Sequence, residues 1–293
     1  MRARIWGCRG SLAAPGPDTV RYGGNTSCVE VMLDDGTMLI LDAGTGIRTL
    51  GRQLEHRGAT TVHLLLTHLH LDHLQGLGFF RPFFEHGMDV HIWGPRSPTV
   101  SLRDRIALYL SPPLFPVSLA DVASTVTFHD APDQPWPIGS ATVTAMSVTH
   151  QGPTLGFRID EWAQSLAYIP DHEPSLGIDM RTLSPEWISG HDLAEDVDVL
   201  LHDAQFFEEE YEDHVGWGHS SVAHTVSFAH MANVKRLVLF HHDPFHDDDS
   251  LERLLVRAQR LWDGAAGSLE LAYEGMLIDL SEATPAAHAG SSV

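Results

Sequence analysis

The sequence predicts an α/β sandwich, and three features of its pattern carry that prediction. Apolar runs of strand length recur along the chain, helical patterns follow several of them, and histidines and aspartates collect where the runs stop. Strands interleaved with helices argue against an all-β protein. Polar residues at strand ends argue for a site built along one edge, where the scaffold is rigid and the loops are free to vary.

The strand candidates are 3–7, 28–33, 37–42, 62–67, 90–93, 142–148, 155–159, 165–169, 197–201 and 236–240. Helical patterns cover 47–56, 74–84, 220–231 and 250–262. The stretch 94–137 differs: proline and turn residues (SPPLFP, APDQPWP) surround a helical piece at 100–110. It is predicted to be an insertion bordering the site, within a single domain spanning 1–282. Residues 283–293 (ATPAAHAGSSV) are small, polar and aperiodic, as in a disordered tail.

Composition narrows the function. With 43% hydrophobic and 19% charged residues, the 293-residue chain reads as an ordinary globular protein. Its 18 basic against 39 acidic residues give a net charge of −21, which repels polyanions and makes a nucleic acid an unlikely partner. A small anionic substrate remains compatible, because bound metal ions supply local positive charge. No apolar run reaches membrane-spanning length, and the opening residues lack a signal-peptide core, so a cytoplasmic location is expected. Cys8 and Cys28 make no disulfide framework and read as buried thiols.

Histidine is over-represented, with 20 copies, and its spacing matters more than its number. Thr67-His68-Leu69-His70-Leu71-Asp72-His73 follows the apolar run VHLLL and precedes a helical pattern. His68 and His70, two apart at a strand end, point to one side, while Asp72 and His73 turn towards a second position. One segment thus supplies imidazole and carboxylate ligands for two adjacent ions, a mixture that suits zinc. Further ligands are expected at other strand ends: His150, Asp171, where a carboxylate could bridge, and His241. His242 competes with His241, which is preferred because it directly ends the run LVLF.

The segment THLHLDH resembles the HxHxDH signature of the metallo-β-lactamase superfamily, and the later residues resemble its RNase Z-like phosphodiesterase branch. The resemblance runs to about Pro244 and implies an αββα four-layer sandwich. It implies one ion on His68, His70 and His150, another on Asp72, His73 and His241, and Asp171 between them. LILDAGTGI resembles the family's early aspartate motif, making Asp42 a residue that orients a metal histidine. Gly218-His219-Ser220-Ser221 resembles the branch's HST-type segment, in which the histidine acts in catalysis. VLLHDAQF resembles its HEATF segment, with Asp203 in place of glutamate. Catalysis is thereby assigned to His219 and Asp72.

What the resemblance implies is dinuclear hydrolysis of a small phosphodiester, cyclic or nucleotide-derived, by a metal-bridging hydroxide, with two Zn2+ or alternatively Mn2+ or Fe. The chain has no long glycine- and proline-rich excursion like the arm of many tRNA-processing members. Alternative readings are a carboxylic ester or lactone hydrolase and a non-catalytic metal-containing sensor. A homodimer is compatible with the family. Phe79, Phe80, Phe83 and Phe84, with Trp217, are candidates for a pocket lining, although helix packing on the core explains the phenylalanines better.

Overall fold

The computed structural model describes residues 1–54, 58–262 and 267–283. Strands β1 (Arg2–Gly7), β2 (Cys28–Met32), β3 (Met38–Leu41), β4 (Thr61–Leu65), β5 (Asp89–Gly94) and β6 (Thr125–Asp130) come from the first part of the chain. They are followed by β7 (Trp136–Ile138), β8 (Ala141–Ser147), β9 (Leu155–Glu161), β10 (Gln164–Ile169), β11 (Val199–Asp203), β12 (Arg236–Phe240), β13 (Ser268–Leu271) and β14 (Leu277–Asp279). The α-helical segments are α1 (Ile47–Leu54), α2 (Leu71–Leu74), α3 (Leu102–Tyr109), α4 (His191–Ala194), α5 (Glu208–Tyr211), α6 (Val222–Met231) and α7 (Asp248–Trp262).

Two seven-stranded sheets form, in the orders β14-β1-β2-β3-β4-β5-β6 and β13-β12-β11-β10-β9-β8-β7. Period-two alternation sends successive residues to different cores. In β3, Leu39 and Leu41 enter the core between the sheets, while Met38 and Ile40 face the layer of α1 and α3. In β12, Val238 and Phe240 enter the inter-sheet core, and Leu237 and Leu239 meet α6 and α7. These strands are buried on both faces, which is why their sequences are continuous apolar runs. The result is the αββα sandwich.

The observed elements differ from the sequence expectation in three places. Residues 74–84 do not form one helix; α2 gives way to short 3-10 turns at Leu77–Phe79 and Arg81–Phe84. Close packing explains the break: a side chain at Gly76 would meet the Gly44 carbonyl at 2.0 Å, and Pro82 cannot continue a helical ladder. Phe80 and Phe83 are buried there, whereas Phe79 and Phe84 are exposed. The stretch 94–137 is not a mere insertion, because it supplies the edge strands β6 and β7 of the two sheets. β13 and β14 lie beyond the expected strands. His56 and the 284–293 part of the expected tail lie outside the described residues.

Among the described residues no helix is long and apolar enough to cross a membrane. Cys8 and Cys28 are free and fully buried, and burial pushes both thiols up from their ordinary range.

Candidate metal centre

The C-terminal ends of β4, β8, β10, β11 and β12 meet at one edge of the sandwich. His68, His70, Asp72 and His73 follow β4, His150 follows β8, Asp171 follows β10, Asp203 ends β11, and His241 follows β12. Ligand-capable atoms of His68, His70 and His150 lie within 4.8 Å of one another, as do those of Asp72, His73, Asp171 and His241. Asp171 stands between the groups: Oδ1 is 2.9 Å from His73 Nε2, and Oδ2 is 3.3 Å from His241 Nε2 and 3.7 Å from His150 Nε2.

Hydrogen bonds fix which nitrogen each ring presents. Nδ1–H of His73 donates to Asp42 at 2.8 Å. Nδ1–H of His150 donates to the Gly218 carbonyl at 2.8 Å, and that of His241 to Gln205 Oε1 at 3.1 Å. Thr67 Oγ1 donates to Asp42 and so accepts from His68 Nδ1–H at 3.0 Å. Four imidazoles therefore turn Nε2 inward, the arrangement that outer partners impose on metal-binding histidines. Asp42 also accepts from the Thr67 amide at 2.8 Å and from Tyr168 Oη at 2.9 Å.

The donor set fits cations. His68 Nε2 is buried without a hydrogen-bond partner, an arrangement that normally costs free energy. Nitrogens confront one another at 3.4 Å between His73 and His241, and at 3.2 Å between His70 and His150. Burial opposes charge on His73 and His241, yet Asp171 and the neighbouring carboxylates outweigh it. They hold His73 well above its ordinary range and His241 at about 9. Burial pushes His68 and His150 down, which keeps them neutral and ready to donate lone pairs. The pocket thus attracts positive charge at one group of ligands and offers neutral nitrogens at the other.

Two close approaches shape the edge. A side chain at Gly10 would meet the His241 ring at 2.4 Å, and the Ser11 amide donates to Asp72 at 2.8 Å. At Gly218, with φ of +88°, a Cβ would lie 2.4 Å from His150 Nδ1. Asp42 and His241 both hold positive φ, near +60°, a conformation that costs free energy and persists where surrounding contacts over-determine it.

His219 sits over both groups. Its Nδ1 is 2.7 Å from Asp203 Oδ2, its ring stacks on His241 at 4.9 Å, and it meets His150 edge-on at 4.9 Å. Asp203 also accepts from the backbone amides of His172, Gln205 and Ser220. The structure brings every predicted site residue to this edge and separates the adjacent histidines. His241 faces Asp72 and Asp171, while His242 points away, its Nε2 2.8 Å from the Ala272 carbonyl. Sequence reasoning missed Gln205 and Tyr168, which orient His241 and Asp42; neither stands in a spacing that marks it.

An αββα sandwich with this His/Asp edge defines a metal-dependent hydrolase with a dinuclear site. The chain belongs to the β-lactamase superfamily: a family profile described as "Beta-lactamase superfamily domain" matches residues 37–242. It is 26% identical over 287 residues to Ribonuclease Z of Myxococcus xanthus, covering 83% of this chain and 88% of that protein. The metallo-beta-lactamase fold protein YhfI from Bacillus subtilis is similar in structure, with TM-score 0.68 at 19% identity over 95% of this chain and 99% of that one. A diphosphatase from the PhnP family gives TM-score 0.65 at 18% identity, over 95% and 97% of the two chains.

Gly218→Ala is expected to push His150 aside and to weaken one of the two metal sites about 10- to 100-fold, measured by chelator competition. A second expectation concerns pH. Burial depresses His242 to about 3 and His202 to about 4, whereas an unfolded histidine titrates near 6.5. The unfolded chain therefore takes up protons that the folded chain refuses. The stability these two histidines contribute is complete above pH 6.5 and falls towards pH 4, by up to about 1.4 kcal/mol per pH unit for each. Urea unfolding of the chelator-treated protein at pH 7 and pH 5 should show a loss smaller by about 2 kcal/mol in His242→Asn than in wild type.

Proposed function

We propose that this protein hydrolyses a small phosphodiester, cyclic or nucleotide-derived, with two zinc ions at the strand-end edge. His68, His70 and His150 hold one ion; Asp72, His73 and His241 hold the other; Asp171 lies between them. Mixed imidazole and carboxylate donors favour zinc and also accommodate manganese or iron. When bound, the ions polarise the phosphoryl group and acidify a water molecule.

The observation that carries the reading is His219. Asp203 holds its Nδ1–H, which leaves Nε2 to face a reacting group beside both sets of ligands. There it donates a proton to the departing alkoxide or stabilises the charge developing on phosphoryl oxygen. Asp203, held by three backbone amides, fixes the direction of the ring. Relatives named as a ribonuclease and as a diphosphatase support phosphorus as the centre attacked.

The net charge of −21 supports a small substrate over a polyanion. Trp217, two residues before His219, is 55% exposed and packs edge-on to His214 at 4.5 Å. It offers an aromatic face to a base in the leaving group. The buried free thiols of Cys8 and Cys28 are in keeping with a cytoplasmic location.

Metal analysis with assays on bis-p-nitrophenyl phosphate, a cyclic nucleotide and a lactone tests this reading. Two ions per chain are expected, with turnover of the phosphodiesters. His219→Ala should lower kcat about 100-fold or more at unchanged metal content. Turnover of the lactone alone would move the assignment to carboxylic esters, and two ions without turnover would point to a sensor.

A further inference from the structure

We infer that Glu173, which belongs to neither ligand set, is a positioning residue. It locks His150 to the turn that carries Trp217 and His219. The inference rests on the reading of the edge as a dinuclear centre.

Glu173 follows Asp171 by two positions and is 1% exposed. Its carboxylate accepts from Tyr211 Oη at 2.6 Å, from the Gly216 amide at 2.9 and 3.0 Å, and from the Gly218 amide at 2.8 Å. Its own amide donates to the Thr149 carbonyl at 2.9 Å. Since His150 Nδ1–H donates to the Gly218 carbonyl, the connections close into a ring. The ring runs from Glu173 through Thr149 and His150 to Gly218, and back to the Glu173 carboxylate.

The turn needs such a clamp. Gly216 and Gly218 have φ of +86° and +88°, and glycines hold these angles only weakly against alternatives. A carboxylate that accepts both amides selects one conformation, and charge-assisted hydrogen bonds of this kind are about twice as strong as neutral ones. The consequence reaches the metal centre along two routes. The Gly218 carbonyl sets the tautomer and direction of His150, and the next residue is His219, poised against Asp203. Without the carboxylate, the buried Gly218 amide loses its acceptor and the carbonyl on the same residue is free to rotate away from His150.

Zinc titrations against a chromophoric chelator separate the two binding constants, and His150→Ala identifies the one that depends on His150. Glu173→Ala should weaken that constant about tenfold or more and change the other less than twofold. In a His150→Ala background, Glu173→Ala should have no further effect on it. If Glu173→Ala does not fold, Glu173→Asp carries the test, because it keeps the charge but falls one methylene short of Gly218. A drop in melting temperature with both constants within twofold of wild type would overturn the inference while leaving the dinuclear reading intact. Failure of the wild type to bind two ions would overturn both.

Discussion

A single buried carboxylate, Asp42, joins the two sheets at the edge where the site forms. It accepts from Thr67 and His73 of its own sheet's loop, and from Tyr168 of β10 across the interface. The register between the sheets and the direction of a ligand are therefore fixed by the same oxygens. Asp42 adopts φ of +60° to do this. The surrounding hydrogen bonds offset the strain, as is usual where backbone distortion serves a site.

The same logic repeats around the centre. Each of four inward-facing rings is held through Nδ1 by a different partner: Thr67, Asp42, the Gly218 carbonyl and Gln205. These partners come from separate loops, so metal affinity is distributed over the whole edge rather than placed in one motif. Charge complements geometry. Aspartates around His73 and His241 favour positive charge, while burial keeps His68 and His150 neutral. His219 shares the edge and has its Nδ1 held by Asp203, which leaves Nε2 for the role proposed for it.

Much of this was legible in the sequence because the relevant signals are local. THLHLDH announces candidate ligands within one segment, and continuous apolar runs mark strands buried on both faces. Candidate ligands at strand ends could be anticipated for the same reason. The choice between His241 and His242 depended on a backbone at φ of +60°, which turns the two rings apart and leaves no trace in spacing. The helical pattern over 74–84 misled because tight packing against Gly44 is a tertiary constraint. β6 and β7, at the sheet edges, were hidden by proline-rich flanks, and β7 is only three residues long with Pro137 at its centre. Glu173, Gln205 and Tyr168 act through contacts distant in sequence, so no motif could reveal them.

The central claim is that this edge holds two ions sharing Asp171, and anomalous diffraction from crystals of the zinc-loaded protein tests it most directly. The account predicts two zinc peaks about 3.5–4 Å apart. One should be bounded by His68, His70 and His150, and the other by Asp72, His73 and His241, with Asp171 contacting both. A single peak, or zinc bound elsewhere with Asp171 unliganded, would contradict it.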